Sequence, residues 1–256
     1  MSIDLTQHER GIPFNGDIDA ALAALRERLA AAQLSQIVYK QRLVIVLEGP
    51  EAAGKTAVLK ELAAALDPRF TSVCTILPDR RRHSEGHWLA RFWAGLPEAG
   101  HSTFFYHSWY KRVLEDRVLG LVAEKDWRRA YDEINEFEVQ QRDYGTVIVK
   151  LFLHLTDVVQ GERLSTLEAD PWKSLLMGPA ELRDEAARQS YRAAVTDMFA
   201  QNHTRWSPWI VLDANDSDAL KAAALGSIAE AMEKAFPSAP PQEHGSVVRF
   251  KASERA

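Results

Sequence analysis

The chain has 256 residues, 46% of them hydrophobic and 26% charged, with 31 Lys plus Arg against 36 Asp plus Glu. That length and apolar content suit one large globular domain and exclude a disordered chain, and a net charge of −5 argues against a general nucleic-acid binder. The single cysteine, Cys74, excludes an internal disulfide and any paired-cysteine zinc or redox motif. Residues 1–16 read as an arm without a basic or apolar leader, so a cytoplasmic setting is expected. The segment from Asp17 to about Lys40 spaces Ile18, Leu22, Leu25, Leu29 and Leu34 as one helical face. Leu43–Leu47 is a continuous apolar run. It is too short for a membrane span and is the pattern of a strand buried on both faces of a parallel sheet.

A helix is expected from Lys55 to Leu66, stopped by Asp67-Pro68, then a strand over Thr71–Leu77 and a helix from Ser84 to about Ala94. Ser102–His107 reads as a third strand, followed by helices over Trp109–Ala123 and Trp127–Arg142. The β-branched run Thr146–Leu153 is a fourth strand. Helices are expected over Asp157–Glu168 and Pro179–Asn202, then a short strand at Trp209–Leu212 and a last helix over Asp216–Phe236. From Pro237 to Ala256 the composition turns to Pro, Ser and Gln, which predicts a disordered tail. Strands alternating with helices over 17–236 predict an α/β fold. The expected architecture is three-layer α/β/α, with a mostly parallel five-stranded sheet.

Gly49-Pro-Glu-Ala-Ala-Gly54-Lys55-Thr56 fits the phosphate-loop pattern at every fixed position. It follows a strand and opens a helix, as the chemistry requires: backbone N–H groups from Gly49, Ala52, Ala53 and Gly54 face an oligophosphate at a helix N-terminus. Lys55 reaches the phosphates, and the Thr56 hydroxyl suits magnesium. Glu51 places a carboxylate inside an anion site. That is sensible only if it holds a metal or takes a proton from an incoming acceptor. Arg80, Arg81, Arg82 and His83 follow the second strand, at the sheet edge where such folds bind ligands, and can hold a polyanion. The eight histidines form no close ligand pair, so no transition metal is expected.

Further segments resemble the polyphosphate kinase 2 family, P-loop kinases that move phosphoryl groups between inorganic polyphosphate and nucleotides. They are Asp67-Pro68-Arg69, Arg91-Phe-Trp-Ala-Gly-Leu-Pro97, Phe105-Tyr-His-Ser-Trp-Tyr110, Arg117, Tyr131–Glu138, Gly145–Leu155, Asp170-Pro171-Trp172-Lys173 and Ser207-Pro208-Trp209. The resemblance implies a helical lid over about 163–192, with Lys173, Arg183, Arg188 and Arg192 able to close over the transferring phosphate. It implies phosphate roles for Arg91, His107 and Lys173, and a catalytic role for Arg117 beside Lys55 and Glu51. It implies Thr56 and Glu51 as ligands of magnesium or manganese, a nucleotide and polyphosphate as partners without nucleic acid or membrane, and a homo-oligomer. The spelling is nearest to members that phosphorylate AMP. Tyr106 stands where the family carries Asp or Asn, and a phenol is a poor magnesium ligand at neutral pH. Two alternatives stay open: a member that binds polyphosphate or nucleotide without efficient turnover, and an ATP-dependent nucleotide kinase.

Overall fold

The computed structural model describes residues 3–75 and 86–241. Five strands, β1 (Arg42–Glu48), β2 (Thr71–Thr75), β3 (Ser102–Tyr106), β4 (Thr146–His154) and β5 (Trp209–Asp213), form one sheet in the order β2-β3-β1-β4-β5. All four pairings are parallel. The expected three-layer arrangement follows from β1. Leu43, Ile45 and Leu47 point to one core with α1 (Ile18–Val38), α2 (Lys55–Ala65) and α8 (Ser217–Ala235). Val44 and Val46 point to the other, with α5 (Glu124–Asp143) and α7 (Glu185–Asn202). Every β1 residue from Leu43 to Leu47 is fully buried, which is why the run carries no polar alternation.

Parallel register brings the strand ends to one edge: Leu47 pairs with Tyr106, Glu48 with Phe152 and His154 with Asp213. Helices that begin there are capped differently. Asp216 caps α8 by accepting from Asp218 N and Ala219 N, whereas α2 opens at Gly54 with no side-chain cap. Its first N–H groups therefore stay available to an anion.

Several expected boundaries change. The helix expected over Trp109–Ala123 is a 3-10 turn (Trp109–Arg112) followed by a short α4 (Glu115–Val118). Leu114, with φ −105° and ψ −97°, separates them, and Gly120 at φ 64° ends the second. The expected Ser84–Ala94 helix is reduced to α3 (Ala90–Trp93) among the described residues. The helix expected from Pro179 begins at Glu185, after a 3-10 turn at Ala180–Leu182. Of the tail expected over Pro237–Ala256, residues 242–256 lie outside the described residues; at its start Ser35 Oγ donates to Pro237 O (2.6 Å) and Tyr39 OH to Ala239 O (2.8 Å). Among the described residues no helix is long and apolar enough to cross a membrane.

Candidate active site

The β1–α2 loop lies at the carboxyl edge of the sheet, where open α/β sheets bind ligands. Gly49 has φ 144°, and a Cβ there would stand 2.5 Å from Leu153 O, so only glycine fits. Gly54 has φ 95°, and Ala52, a non-glycine residue, also sits in the left-handed region at 64°. Lys55 is buried, and its ammonium donates to Gly49 O (2.5 Å) and Pro50 O (2.9 Å), folding the loop over its own lysine. The loop borders a cleft of about 1390 Å³ that runs between the sheet edge, α6 (Asp157–Ala169) and the segment leading into α7.

Glu51 reaches across this cleft to the expected lid. Its Oε1 accepts from Gly178 N (2.6 Å), and its Oε2 accepts from Arg183 Nε (3.2 Å). Arg183 also donates to Gly178 O (2.7 Å) and Glu168 Oε1 (3.2 Å). The two sides are joined again by Gln160 Nε2 donating to Glu51 O and Arg163 to Ala52 O and Asn215 O. The guanidinium of Arg183 thus balances the like charge that Glu51 brings to an anion site.

At the β3 end, the Tyr106 hydroxyl lies 3.1 Å from Thr56 Oγ1. His107 follows at φ 64°, its ring T-stacked on Tyr106 and its Nδ1 3.5 Å from Glu115 Oε1. Burial, reinforced by the Lys55 charge, pushes the imidazole down from its ordinary 6.5 to about 4, so the ring is neutral at pH 7. Lys111 is buried against Glu115 and Asp116. Burial opposes its charge, but the two carboxylates outweigh it and hold the ammonium above the ordinary lysine value. Below pH 6.5 the unfolded chain takes up a proton at His107 that the folded chain refuses. Stability therefore falls between pH 6.5 and 4, by up to about 3 kcal/mol. His107→Gln is expected to flatten that limb in urea-unfolding midpoints; an unchanged limb contradicts this account.

The structure brings Glu51, Ala52, Ala53, Gly54, Lys55, Thr56, His107 and Lys173 to the cleft wall, together with Arg183, Arg188 and Arg192. Lys173 pairs with Asp170 (3.1 Å), and Arg192 pairs with Asp157. It does not bring Arg117 or Arg91 there. Arg117 donates to Asp197 (2.8 Å) and Tyr131 OH (2.9 Å) and stacks over Trp127, which ties α4 to α5 and α7. Arg91 lies over the Phe92 ring. Arg80 and Arg81 lie outside the described residues. Glu48 was not singled out by its sequence position. It is buried and accepts both Ser108 N (2.7 Å) and Ser108 Oγ (2.6 Å), clasping the start of the phosphate loop to the turn after β3. Burial pushes its carboxyl up, against the pull of those hydrogen bonds and of Lys55. An acidic residue closing an apolar strand beside a phosphate loop was the available signal.

The sequence model of the polyphosphate kinase 2 family matches residues 15–239. A polyphosphate:AMP phosphotransferase from Pseudomonas syringae pv. tomato is 37% identical over 235 residues, covering 92% of this chain and 46% of that protein. A second, from Pseudomonas aeruginosa, is 35% identical over 84% of this chain and 43% of its own length. The chain therefore spans about half the length of these curated relatives. A crystal structure of polyphosphate kinase 2 from Arthrobacter aurescens superposes with a TM-score of 0.84 at 25% identity, covering 96% of this chain and 90% of that one. With the phosphate loop, the parallel sheet and these matches together, the chain belongs to the polyphosphate kinase 2 family.

Proposed function

We propose that this chain moves a phosphoryl group between inorganic polyphosphate and a nucleotide, AMP being the acceptor that its relatives' names favour. The observation that carries the reading is the uncapped start of α2, with Lys55 and Thr56 facing a cleft that also takes Lys111, Lys173, Arg183 and Arg188. Phosphoryl transfer has a loose transition state with charge spread over the oxygens, so positioning and electrostatics do most of the work. The N–H groups of Gly54, Lys55 and Thr56 hold the phosphate chain, that of Ala53 being held by Pro50 O, and the Lys55 ammonium exchanges its two loop carbonyls for phosphate oxygens. The lid cations then neutralise the migrating group. Arg117 acts from outside the cleft, by fixing α4 against α7.

Phosphotransferases of this family are generally dependent on a divalent metal. Oxygen donors suited to magnesium or manganese face the cleft here: the Thr56 hydroxyl and the Glu51 carboxylate. When bound, such an ion supplies charge neutralisation on the phosphate oxygens. We place the activity in the cytoplasm, with polyphosphate and nucleotide as partners, no nucleic acid or membrane, and a homo-oligomeric assembly.

Tyr106 favours a second reading, binding with weak turnover, because its phenol occupies Thr56 where the family places a carboxylate or amide. Tyr106→Asp separates the two readings. Tyr106 is only partly buried, so the variant is expected to stay folded. Its turnover with polyphosphate and AMP is expected to rise roughly 10- to 100-fold and its magnesium requirement to fall. A folded variant no faster than the parent at any magnesium concentration contradicts the missing-ligand account.

A further inference from the structure

The N-terminal arm is fixed to the carboxyl edge of the sheet rather than left loose. Asp4 caps a 3-10 turn (Leu5–His8), and Gly11 N donates to Asp213 Oδ2 at 2.7 Å. Phe14 N donates to Asp216 Oδ1 at 3.4 Å, so the arm is tied beyond Glu9, and before it Ile3 and Leu5 pack against the core. Leu5 and Glu9 form part of the cleft wall. Glu9 Oε1 meets Nε2 of the buried His154 at 2.8 Å, while its other oxygen makes no hydrogen bond among the described residues.

The cleft walls are chemically unequal. The phosphate loop, α4's approach and the lid supply Lys55, Lys111, Lys173 and Arg183. The arm, β4 and α6 supply Leu5, Phe152, Leu155 and Leu164, with the Glu9–His154 pair among them. Two of the arginines that line the cleft, from α6 and α7, are already engaged: Arg163 with Ala52 O and Asn215 O, and Arg192 with Asp157. A phosphate chain has no partner on an apolar wall bearing a carboxylate. A planar heteroaromatic ring does, because its faces bury apolar surface and an exocyclic amine donates to the carboxylate.

We propose that the Glu9–His154 pair and the apolar wall around it form the nucleoside subsite, and that Glu9 selects bases with an exocyclic amino group at the ring edge. The proposal rests on the polyphosphate–nucleotide reading above and adds the arm as a specificity element. An amine donates to Glu9, whereas a ring carbonyl at the same edge faces it with a second acceptor and is rejected. Inosine differs from adenosine in this way.

The test uses the full chain and equilibrium binding of adenosine and inosine, neither of which carries phosphate, with tripolyphosphate as a separate ligand. The wild-type chain is expected to bind adenosine roughly tenfold tighter than inosine. Glu9→Ala is expected to lose roughly tenfold in adenosine affinity while tripolyphosphate affinity stays within about twofold. Glu9→Gln, whose amide also donates, is expected to recover inosine and erase the preference. Equal wild-type binding of the two nucleosides overturns the proposal, as does a Glu9→Ala variant with unchanged adenosine affinity. Absence of tripolyphosphate binding instead contradicts the phosphate-site reading, and the nucleoside arms still decide the subsite.

Discussion

Lys55→Ala is expected to lower turnover roughly 10³-fold while leaving the chain folded. The ammonium is the one phosphate-loop cation, and its loss removes charge stabilisation directed at the migrating phosphoryl group, a term worth several kcal/mol. The structure adds a detail that the motif does not carry. Lys55 closes the loop on Gly49 O and Pro50 O, so truncation also leaves these two carbonyls without their donor. Gly49 is buried while Pro50 is half-buried at the cleft, so the stability cost is expected to be about 1–2 kcal/mol. Steady-state turnover and a urea-unfolding midpoint, measured on the same preparation, check both parts. Wild-type turnover removes the loop from the mechanism, and gross unfolding makes the lysine chiefly structural.

The largest stability effect is expected away from the cleft. Lys150 lies in the middle of β4 with a fully buried side chain, and its ammonium donates to Glu138 Oε2 (2.9 Å), Tyr110 OH (2.8 Å) and Asn202 O (2.9 Å). The other oxygen of Glu138 accepts from Tyr110 OH (2.6 Å) and Trp109 Nε1 (3.0 Å). Burial lowers the Lys150 ammonium, and the Glu138 charge and hydrogen bond oppose that shift. Lys150→Met leaves a buried carboxylate without its cation and is expected to cost about 3–5 kcal/mol. Lys150→Met with Glu138→Gln, whose amide oxygen still accepts from Tyr110 OH and Trp109 Nε1, is expected to recover most of that loss. A double variant as unstable as the single one would show that packing around Trp109 and Tyr110, not the stranded charge, sets the cost.

The central strands and the phosphate loop were legible because their signals are local. A strand buried on both faces must be continuously apolar, as Leu43–Leu47 is, and the loop's glycines answer to its own backbone angles. What could not be read depends on partners far along the chain. Arg117 matches a family position that the resemblance gives a catalytic role, yet Asp197, 80 residues on, claims it. Glu51 was legible as an anomaly, but its partners Gly178 and Arg183 lie 127 and 132 residues away. Lys150 passed for an ordinary strand residue because nothing in β4 itself announces Glu138 across the core. The break at Leu114 was hidden for a related reason. Apolar spacing carries through Trp109–Val118, while the buried Trp109 and Tyr110 and the Lys111–Glu115 pair shape the local path.

The measurement that bears most directly on the function is a single transfer panel. The full chain is incubated with polyphosphate or ATP as donor, magnesium or manganese, and each nucleoside mono- and diphosphate. Products are resolved by phosphorus NMR or ion-exchange chromatography. The predicted result is a nucleotide that gains one phosphoryl group with polyphosphate as donor, AMP giving ADP, in a reaction abolished by a chelator and by Lys55→Ala. Transfer from ATP alone, or no transfer from polyphosphate to any nucleotide with either metal, would contradict it.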